Sequence, residues 1–192
     1  MVKCMEELKG KRIVMLAGDG FEDMELIYPL VRLRDEACAD VAVAGLKGHE
    51  MLRGKNGLQV ATDLSFKDLR ADSFDALVIP GGQSPDHIRI YPDVIRFVQD
   101  FDRTGKPIAS ICHGVQILIT ARLLKGKTAT GWKSLAVEIE NAGASYVDAP
   151  LVTSGQYIFS RQPSDLGFFC DAIIRSLRGE SLQPLVEAAR AI

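Results

Sequence analysis

Cysteine and histidine are scarce in this sequence, and neither forms the clusters that structural metal sites need. The chain has three histidines and four cysteines, with no CxxC pair. The cysteines are far apart and irregularly spaced, at Cys4, Cys38, Cys112 and Cys170. We therefore expect neither a disulfide framework nor a zinc site. His49 and His87 lack metal-ligand spacing, so no metal site is predicted and both are treated as ordinary loop or surface residues.

The chain also lacks a basic block, an apolar leader and a long hydrophobic run. Its 23 lysines and arginines against 25 aspartates and glutamates give a net charge of -2 without a basic stripe, which argues against nucleic-acid binding as a main activity. The polar N-terminus has no apolar signal segment, and no later run approaches the roughly 18 apolar residues of a membrane span. We therefore predict a cytoplasmic protein with no membrane partner.

The sequence does contain short apolar runs that alternate with longer amphipathic segments. At 192 residues, of which 47% are hydrophobic, the chain is long enough for one domain with a sizeable core. We predict a single domain over residues 1–192, with its core at about 11–177 and short extensions at both ends. Strands that alternate with helices indicate an α/β fold in which a mostly parallel central sheet is sandwiched by helices.

The apolar runs predict the strands, and glycine or proline marks where many elements end. Strands are predicted at 12–17, 41–44, 74–79, 108–111, 146–147, 151–152 and 157–159. Helices are predicted at 21–37 with a kink near Pro29, at 91–104, from 115 to about 124, and at 135–142, 163–177 and 181–191. The strongest turn signal, Lys55-Asn56-Gly57, predicts a hairpin between the second and third strands.

The most informative stretch runs from Pro107 to Gly114. The apolar run Ile108–Ile111 stops at Cys112, and His113 and a helical segment follow at once. This pattern is typical of a nucleophile elbow, a sharp strand-to-helix turn with the reactive side chain at its tip. A thiol at a helix N-terminus faces the positive end of the helix dipole, so we expect a lowered pKa for Cys112. From these residues alone, Cys112 could equally be a small buried hydrophobe.

Two other predicted strand ends carry residues that could act with this thiol. The first strand is followed by Gly18–Asp23, which includes the carboxyl group of Glu22, and the third is followed by Pro80–Gly82. Ligands of parallel α/β sheets bind beyond the carboxyl ends of the strands. If these strands are neighbours, a carboxylate, a glycine-rich loop and a thiol converge on one cleft, which is the outline of a nucleophilic site.

Four short motifs follow one another along the chain. They are Phe21–Leu26, Leu77–Gly82, Ser84–Asp86 and Ala109–Gly114. Their order and spacing resemble the PfpI/ThiJ family of the class I glutamine amidotransferase-like superfamily, which implies a flavodoxin-like fold. The resemblance extends from about Lys11 to Leu177. It is strongest to the PfpI branch, whose members are described as intracellular cysteine peptidases, glyoxalase III-like enzymes and deglycases, and it favours a catalytic Cys112.

The resemblance implies a role for each matching position. Cys112 would be the nucleophile, and Glu22 would pack against its sulfur as a protonated acid that donates a hydrogen bond to the thiolate. His113 would be the acid/base partner. Asp86, contributed by a neighbouring subunit of a homodimer or hexamer, would orient this histidine. From the residues alone, Glu22 could be a helix-start carboxylate, His113 a solvent-facing residue and Asp86 a helix N-cap.

The same resemblance implies how the substrate is held. The backbone N–H groups of Gly82 and His113 would form an oxyanion hole, in a loop that also contains Gly81. Trp132 stands where many PfpI members have a tyrosine, so it would widen the apolar wall without serving as an acid. Val115 replaces a proline that often follows the Cys-His-Gly motif, which should leave the turn intact.

We therefore predict a cofactor-free enzyme in which the Cys112 thiolate attacks a reactive carbonyl carbon. The substrate would be a small carbonyl compound such as methylglyoxal or a glycated amine, as for a glyoxalase III or a deglycase in stress protection. An intracellular cysteine peptidase is the second hypothesis, because the same thiolate can attack an amide. The third is a redox-sensing or chaperone-like protein in which Cys112 is oxidised without turnover.

Overall fold

A seven-stranded sheet organises residues 5–182, the part of the chain that the computed structural model describes. The strands are β1 (Arg12–Leu16), β2 (Asp40–Gly45), β3 (Met51–Arg53), β4 (Gln59–Ala61), β5 (Leu64–Ser65), β6 (Ala76–Ile79), β7 (Ile108–Ile111), β8 (Thr128–Ala129), β9 (Ser145–Tyr146), β10 (Val152–Ser154) and β11 (Tyr157–Ser160). The α-helices are α1 (Asp23–Leu30), α2 (Ser84–Ile88), α3 (Pro92–Asp102), α4 (Val115–Thr120), α5 (Ala136–Asn141) and α6 (Leu166–Leu177).

The strand order in the main sheet is β10-β11-β7-β6-β1-β2-β5. All neighbouring pairs are parallel except β10 with β11 at one edge. Two small sheets, β3 with β4 and β8 with β9, lie outside it. The predicted α/β class with a mostly parallel, helix-covered sheet is confirmed. Since β1, β6 and β7 are adjacent, their carboxyl ends meet at one edge, as the sequence predicted.

Hydrophobic residues cover both faces of the sheet. One cluster joins the sheet to α1 and α6 through residues such as Leu26 and Phe169, and the other joins it to α3 and α4 through Phe101 and Leu118. All four of these side chains have 0% exposure. Burying an aliphatic or aromatic side chain of this size contributes about 1.5–3 kcal/mol. The two clusters therefore fix the helices on the sheet and so fix the strand ends that carry the site.

Helix α1, for which a kink or restart near Pro29 was predicted, instead changes its hydrogen-bonding pattern there. The α-helix ends at Leu30 and continues as a wider π-helical turn, Val31–Glu36. The amide of Ala37 donates to the carbonyl of Arg32, five residues earlier, at 3.1 Å. Proline has no N–H and displaces the preceding turn, which disturbs the regular ladder.

Several predicted boundaries need correction. Helix α4 ends at Thr120 and not near 124, and Arg122 beyond it has a positive φ of 60°. The predicted N-terminal extension packs on the domain at Leu8, which is 1% exposed and whose amide donates to the Ala37 carbonyl at 2.8 Å. The predicted helical piece at 181–191 lies almost entirely outside the described residues, as do residues 1–4 of the N-terminal extension.

Two further expectations were the absence of a disulfide framework and the absence of a membrane span, and the cysteines and helices of residues 5–182 bear on them. Cys112 and Cys170 are free thiols, whereas Cys38 is disulfide-bonded, so the described cysteines are not all free. No helix in this range is long and apolar enough to cross a membrane.

Candidate active site

Cys112 stands at a strained turn directly after β7. Its φ is 59°, in the left-handed region that residues other than glycine rarely adopt. The turn is tight, because a Cβ at Gly114 would lie 2.2 Å from the carbonyl oxygen of Ile79. Backbone strain of this kind clusters at functional sites, where the surrounding structure maintains it. The geometry is that of a nucleophile elbow.

His113 lies directly against the thiol. Its Nδ1 is 3.3 Å from the Sγ of Cys112, and its ring stacks on Trp132 with the centroids 6.3 Å apart at 25°. Burial lowers the pKa of His113, although Glu138 and Asp86 act to raise it. A neutral imidazole in this position can accept a proton from the thiol.

A buried carboxyl group also faces the thiol, and it belongs to Glu25 rather than to Glu22. Glu25 has 0% exposure, and its Oε2 accepts a hydrogen bond from the Gly81 amide at 2.9 Å. Its carboxyl group also interacts with the side chain of Cys112. Burial raises the pKa of Glu25 to about 8. Glu25 is therefore protonated at neutral pH and holds the position that the family resemblance implied for Glu22.

The helix register explains this correction. Glu22 precedes the first residue of α1 and forms an ion pair with Lys55 at the pocket rim, while Glu25 lies one turn further in. Residues three and four apart share a helix face, and Glu25 shares the buried face of α1 with Pro29. A carboxyl group on an apolar helix face was the signal in the sequence that could have identified it.

The thiol itself does not have the lowered pKa that the sequence suggested. Burial raises the pKa of Cys112, whereas hydrogen bonds from the backbone N–H groups of His113 and Gly82 lower it. Cys112 is only 7% exposed, so desolvation outweighs the helix dipole. Ionisation of the thiol therefore needs a proton acceptor beside the sulfur, and the imidazole of His113 lies in that position.

The two glycines after β6 have different tasks. Gly82 has a φ of 78°, and a Cβ there would lie 2.4 Å from both the amide of Glu22 and the carbonyl of Gly20. Only glycine can bring this backbone so close to α1 and aim its N–H at the sulfur. The N–H of Gly81 is occupied by Glu25, so it holds the acid in place and is not available for an oxyanion.

Asp86 lies at the rim of the same pocket, on α2. It is exposed and forms an ion pair with Arg89 at 3.4 Å. It faces the His113 of its own chain, on whose pKa it acts. Its contribution across a subunit interface stays a prediction.

The pocket above the thiol has a volume of about 830 Å³. It is lined by Glu22, Glu25, Lys55, Asn56, Gly82, Gln83, Asp86, His87, Cys112, His113, Gln116, Trp132 and Pro163. The structure thus brings the predicted Cys112, His113, Glu22, Asp86, Gly82 and Trp132 together and adds Glu25 and Lys55. In residues 5–182, no group of three or more His, Cys, Asp or Glu side chains could hold a metal ion.

Comparison with known proteins agrees with this geometry. The model of the DJ-1/PfpI family matches residues 11–176. The chain belongs to the DJ-1/PfpI family. Deglycase TK1284 of Thermococcus kodakarensis is 41% identical over 167 residues, which are 87% of this chain and 99% of that protein. General stress protein 18 of Bacillus subtilis is 39% identical over 162 residues, which are 83% of this chain and 94% of that protein.

The fold is likewise similar to solved members of the family. The crystal structure of Drosophila melanogaster DJ-1beta has a TM-score of 0.82 and is 30% identical, with 88% of this chain and 91% of that chain covered. The predicted family and the predicted flavodoxin-like architecture are therefore confirmed.

Proposed function

We propose that this protein is a cysteine-dependent deglycase that acts on adducts of 2-oxoaldehydes with amines. The observation that carries the proposal is the Cys112–His113 pair, with 3.3 Å between Sγ and Nδ1, at a strained turn beneath a pocket of about 830 Å³. The deglycase relative supports the substrate class, since it covers most of this chain. The relative named as a general stress protein is consistent with a role in stress protection.

The mechanism follows from the position of each group. Neutral His113 accepts the Cys112 proton as the sulfur bonds to the carbonyl carbon. The π electrons move onto the carbonyl oxygen, which the N–H groups of Gly82 and His113 stabilise. Protonated Glu25 donates a hydrogen bond to the sulfur when it is an anion.

At an adduct of methylglyoxal with an amine, the C1–N bond breaks as the C1 hydroxyl becomes the aldehyde that the sulfur attacks, and the amine leaves with that proton. In the thiohemiacetal that results, a proton moves from C1 to C2 through an enediol, so that C1 is oxidised and C2 is reduced within the substrate and no external oxidant is needed. Water then hydrolyses the lactoyl thioester to lactate and the free thiol of Cys112.

The reacting sulfur of Cys112 is only 7% exposed beneath the pocket, which favours a small carbonyl group over a long chain. Free methylglyoxal plus water would give lactate by the same steps, so a glyoxalase III activity is part of the proposal. We also propose that the reaction needs no cofactor and takes place in the cytoplasm. Cleavage of peptides is the second candidate, because the thiol and imidazole that attack a carbonyl can also attack an amide.

The test uses a preformed adduct of methylglyoxal with Nα-acetylarginine, freed of excess aldehyde, in a buffer without amines. We expect the wild type to release free Nα-acetylarginine and lactate in equal amounts and Cys112→Ser to release neither. Equal rates in the two proteins would refute the proposal, since the amine can also be regenerated by spontaneous loss of aldehyde. Cleavage of fluorogenic peptides without lactate would favour the peptidase. Peroxide-dependent mass gain on Cys112 without any turnover would favour the redox sensor.

A further inference from the structure

A lysine that the sequence analysis did not single out lies at the rim of the active-site pocket. Lys55 is the one lysine or arginine among the described residues that line it. Its ammonium group forms an ion pair with the carboxylate of Glu22, whose side chain is 8% exposed. It also interacts electrostatically with Cys112, and both residues line the pocket. A single cation in a pocket with several acidic groups has a strong influence on any negative charge formed there.

The hairpin that carries Lys55 is fastened to the start of α1. The amide of Lys55 donates to the Phe21 carbonyl at 2.9 Å. The carboxylate of Asp23 accepts hydrogen bonds from the amides of Asn56 and Leu58, both at 2.9 Å. Burial acts to raise the pKa of Asp23, but these hydrogen bonds lower it below its usual value. The turn that bears Lys55 is thus held by ionised Asp23.

The tip of this hairpin packs closely against the side chain of Asp23. A Cβ at Gly54 would lie 2.7 Å from a carboxylate oxygen of Asp23. The amide of Gly54 donates to the Leu58 carbonyl at 2.7 Å, and Gly57 has a φ of 99°. The turn therefore has one defined geometry against α1, which confirms the hairpin predicted from the sequence and places Lys55 over the pocket.

We propose that Lys55 is the cation that stabilises Cys112 in its ionised form, and that Glu22 and Asp23 are positioning residues that hold Lys55 there. The inference rests on the proposed function, in which Cys112 is the nucleophile. It also assigns Glu22 a task, which is to hold Lys55 through their ion pair.

The other groups around the thiol supply hydrogen bonds to the sulfur but no positive charge. Burial opposes ionisation of the sulfur, and His113 is neutral because burial lowers its pKa. Lys55 stays charged, because its hydrogen bond with Glu22 raises its pKa above the usual value. The charged or titratable groups that face the thiol and its histidine are Glu22 and Glu25 of the α1 region, Lys55 of the hairpin, Asp86 and His87 of α2, His113 of the elbow and Glu138 of α5.

The experiment measures the rate at which iodoacetamide alkylates Cys112 as a function of pH, read by mass spectrometry of the peptide that contains it. Lys55→Met should move the profile to higher pH and slow alkylation at pH 7.5 by roughly 3- to 10-fold, because one unit of pKa is a tenfold change in thiolate. Lys55→Arg should retain most of the wild-type rate. Lys47→Met, which removes an exposed lysine outside the pocket, is the matched control and should leave the profile unchanged.

A second variant tests the positioning. Asp23→Asn keeps the cation but weakens the acceptor of the two hairpin amides, so we expect a smaller shift in the same direction. If Lys55→Met does not fold, Lys55→Gln takes its place, since it keeps part of the stem without the charge. If the alkylation profile of Lys55→Met, or of Lys55→Gln in its place, coincides with that of the wild type, the proposal is overturned. Alkylation follows the thiol and not turnover, so a failed deglycase assay would leave this result interpretable.

Discussion

The carboxyl group of Glu25 and the amide of Gly81 are joined by a hydrogen bond of 2.9 Å that is buried between α1 and the loop after β6. This contact fixes a carboxylic acid against the sulfur of Cys112 and uses the N–H of the first loop glycine to do so. The second glycine, Gly82, is thereby left to face the reacting atoms. Of these two consecutive glycines, Gly81 thus holds the carboxylic acid, and Gly82 is placed to stabilise the anion formed in the reaction.

The buried acid makes the stability of the protein depend on pH. The pKa of Glu25 is raised from an ordinary 4.5 to about 8 in the folded protein, so between these values the unfolded chain loses a proton that the folded protein keeps. Stability should therefore fall as the pH rises through this window, by an amount on the order of 3–5 kcal/mol. Urea unfolding midpoints of wild type and Glu25→Gln at pH 5 and pH 8 measure it.

The Glu25→Gln variant isolates the contribution of the Glu25 carboxyl group to the pH dependence of stability. Glu25→Gln should match the wild type at pH 5 and be the more stable of the two at pH 8, since glutamine never becomes an anion. His113 acts in the opposite direction, because its lowered pKa makes the unfolded chain the stronger proton binder near pH 6. Both proteins contain His113, so its contribution cancels in the difference between their free energies of unfolding. A difference that does not change with pH would contradict the buried, protonated state of Glu25.

The tightness of the elbow predicts a strong effect of a single methyl group. Gly114→Ala would place a Cβ 2.2 Å from the Ile79 carbonyl oxygen, which is backbone and cannot rotate away. We expect a loss of about 2–4 kcal/mol in the free energy of unfolding, measured by urea denaturation. Gly167→Ala in α6 is the matched control, because nothing lies within 4 Å of its Cβ position. It should be neutral or stabilising by up to about 1 kcal/mol, and equal losses in both variants would refute the argument.

The stacking of Trp132 on His113 predicts that an aromatic ring is needed there to hold the imidazole. Trp132→Ala should lower kcat/KM for the preformed adduct by about 3- to 30-fold, because His113 loses the surface that orients it toward the thiol. Trp132→Phe keeps a ring and should retain most of the activity. Steady-state kinetics of the three proteins make the comparison. Activity in Trp132→Ala equal to that of the wild type would show that the histidine is positioned by other contacts.

The main features of the sheet and elbow could be predicted from the sequence because each depends on local patterns. Apolar runs such as Ile108–Ile111 indicate buried strands, and glycines such as Gly82 indicate close backbone approach. The hairpin at Asn56 was predictable for the same reason, since the turn type demands particular residues. These features are encoded within a few neighbouring positions.

What the sequence could not reveal depends on register and on contacts between distant segments. Glu22 and Glu25 stand in the same motif, and only the start of α1 decides which of them enters the pocket. Lys55 is 33 positions from Glu22 along the chain, so its ion pair exists only once the hairpin folds back. The pKa of Cys112 was mispredicted because the helix dipole could be inferred from the pattern, whereas the depth of burial could not.

The position of Asp86 allows a test of whether the site is complete within one chain. Asp86 lines the pocket of its own chain and faces its own His113, whereas the family resemblance predicts that it acts from a neighbouring subunit of a homodimer or hexamer. Mixtures of Cys112→Ser and Asp86→Asn, unfolded and refolded together, distinguish the two arrangements. Action across an interface would restore activity in mixed oligomers, up to about a quarter of wild-type activity per site if dimers form at random from equal amounts.

Action within one chain should give no more than the sum of the two separate variants. Deglycase activity of the mixture, with size-exclusion chromatography of the refolded protein, is the measurement. Refolding each variant alone is the control, because it sets the activity expected without exchange of subunits. If Asp86→Asn alone keeps full activity, neither arrangement holds, and the carboxylate serves mainly its ion pair with Arg89 on α2.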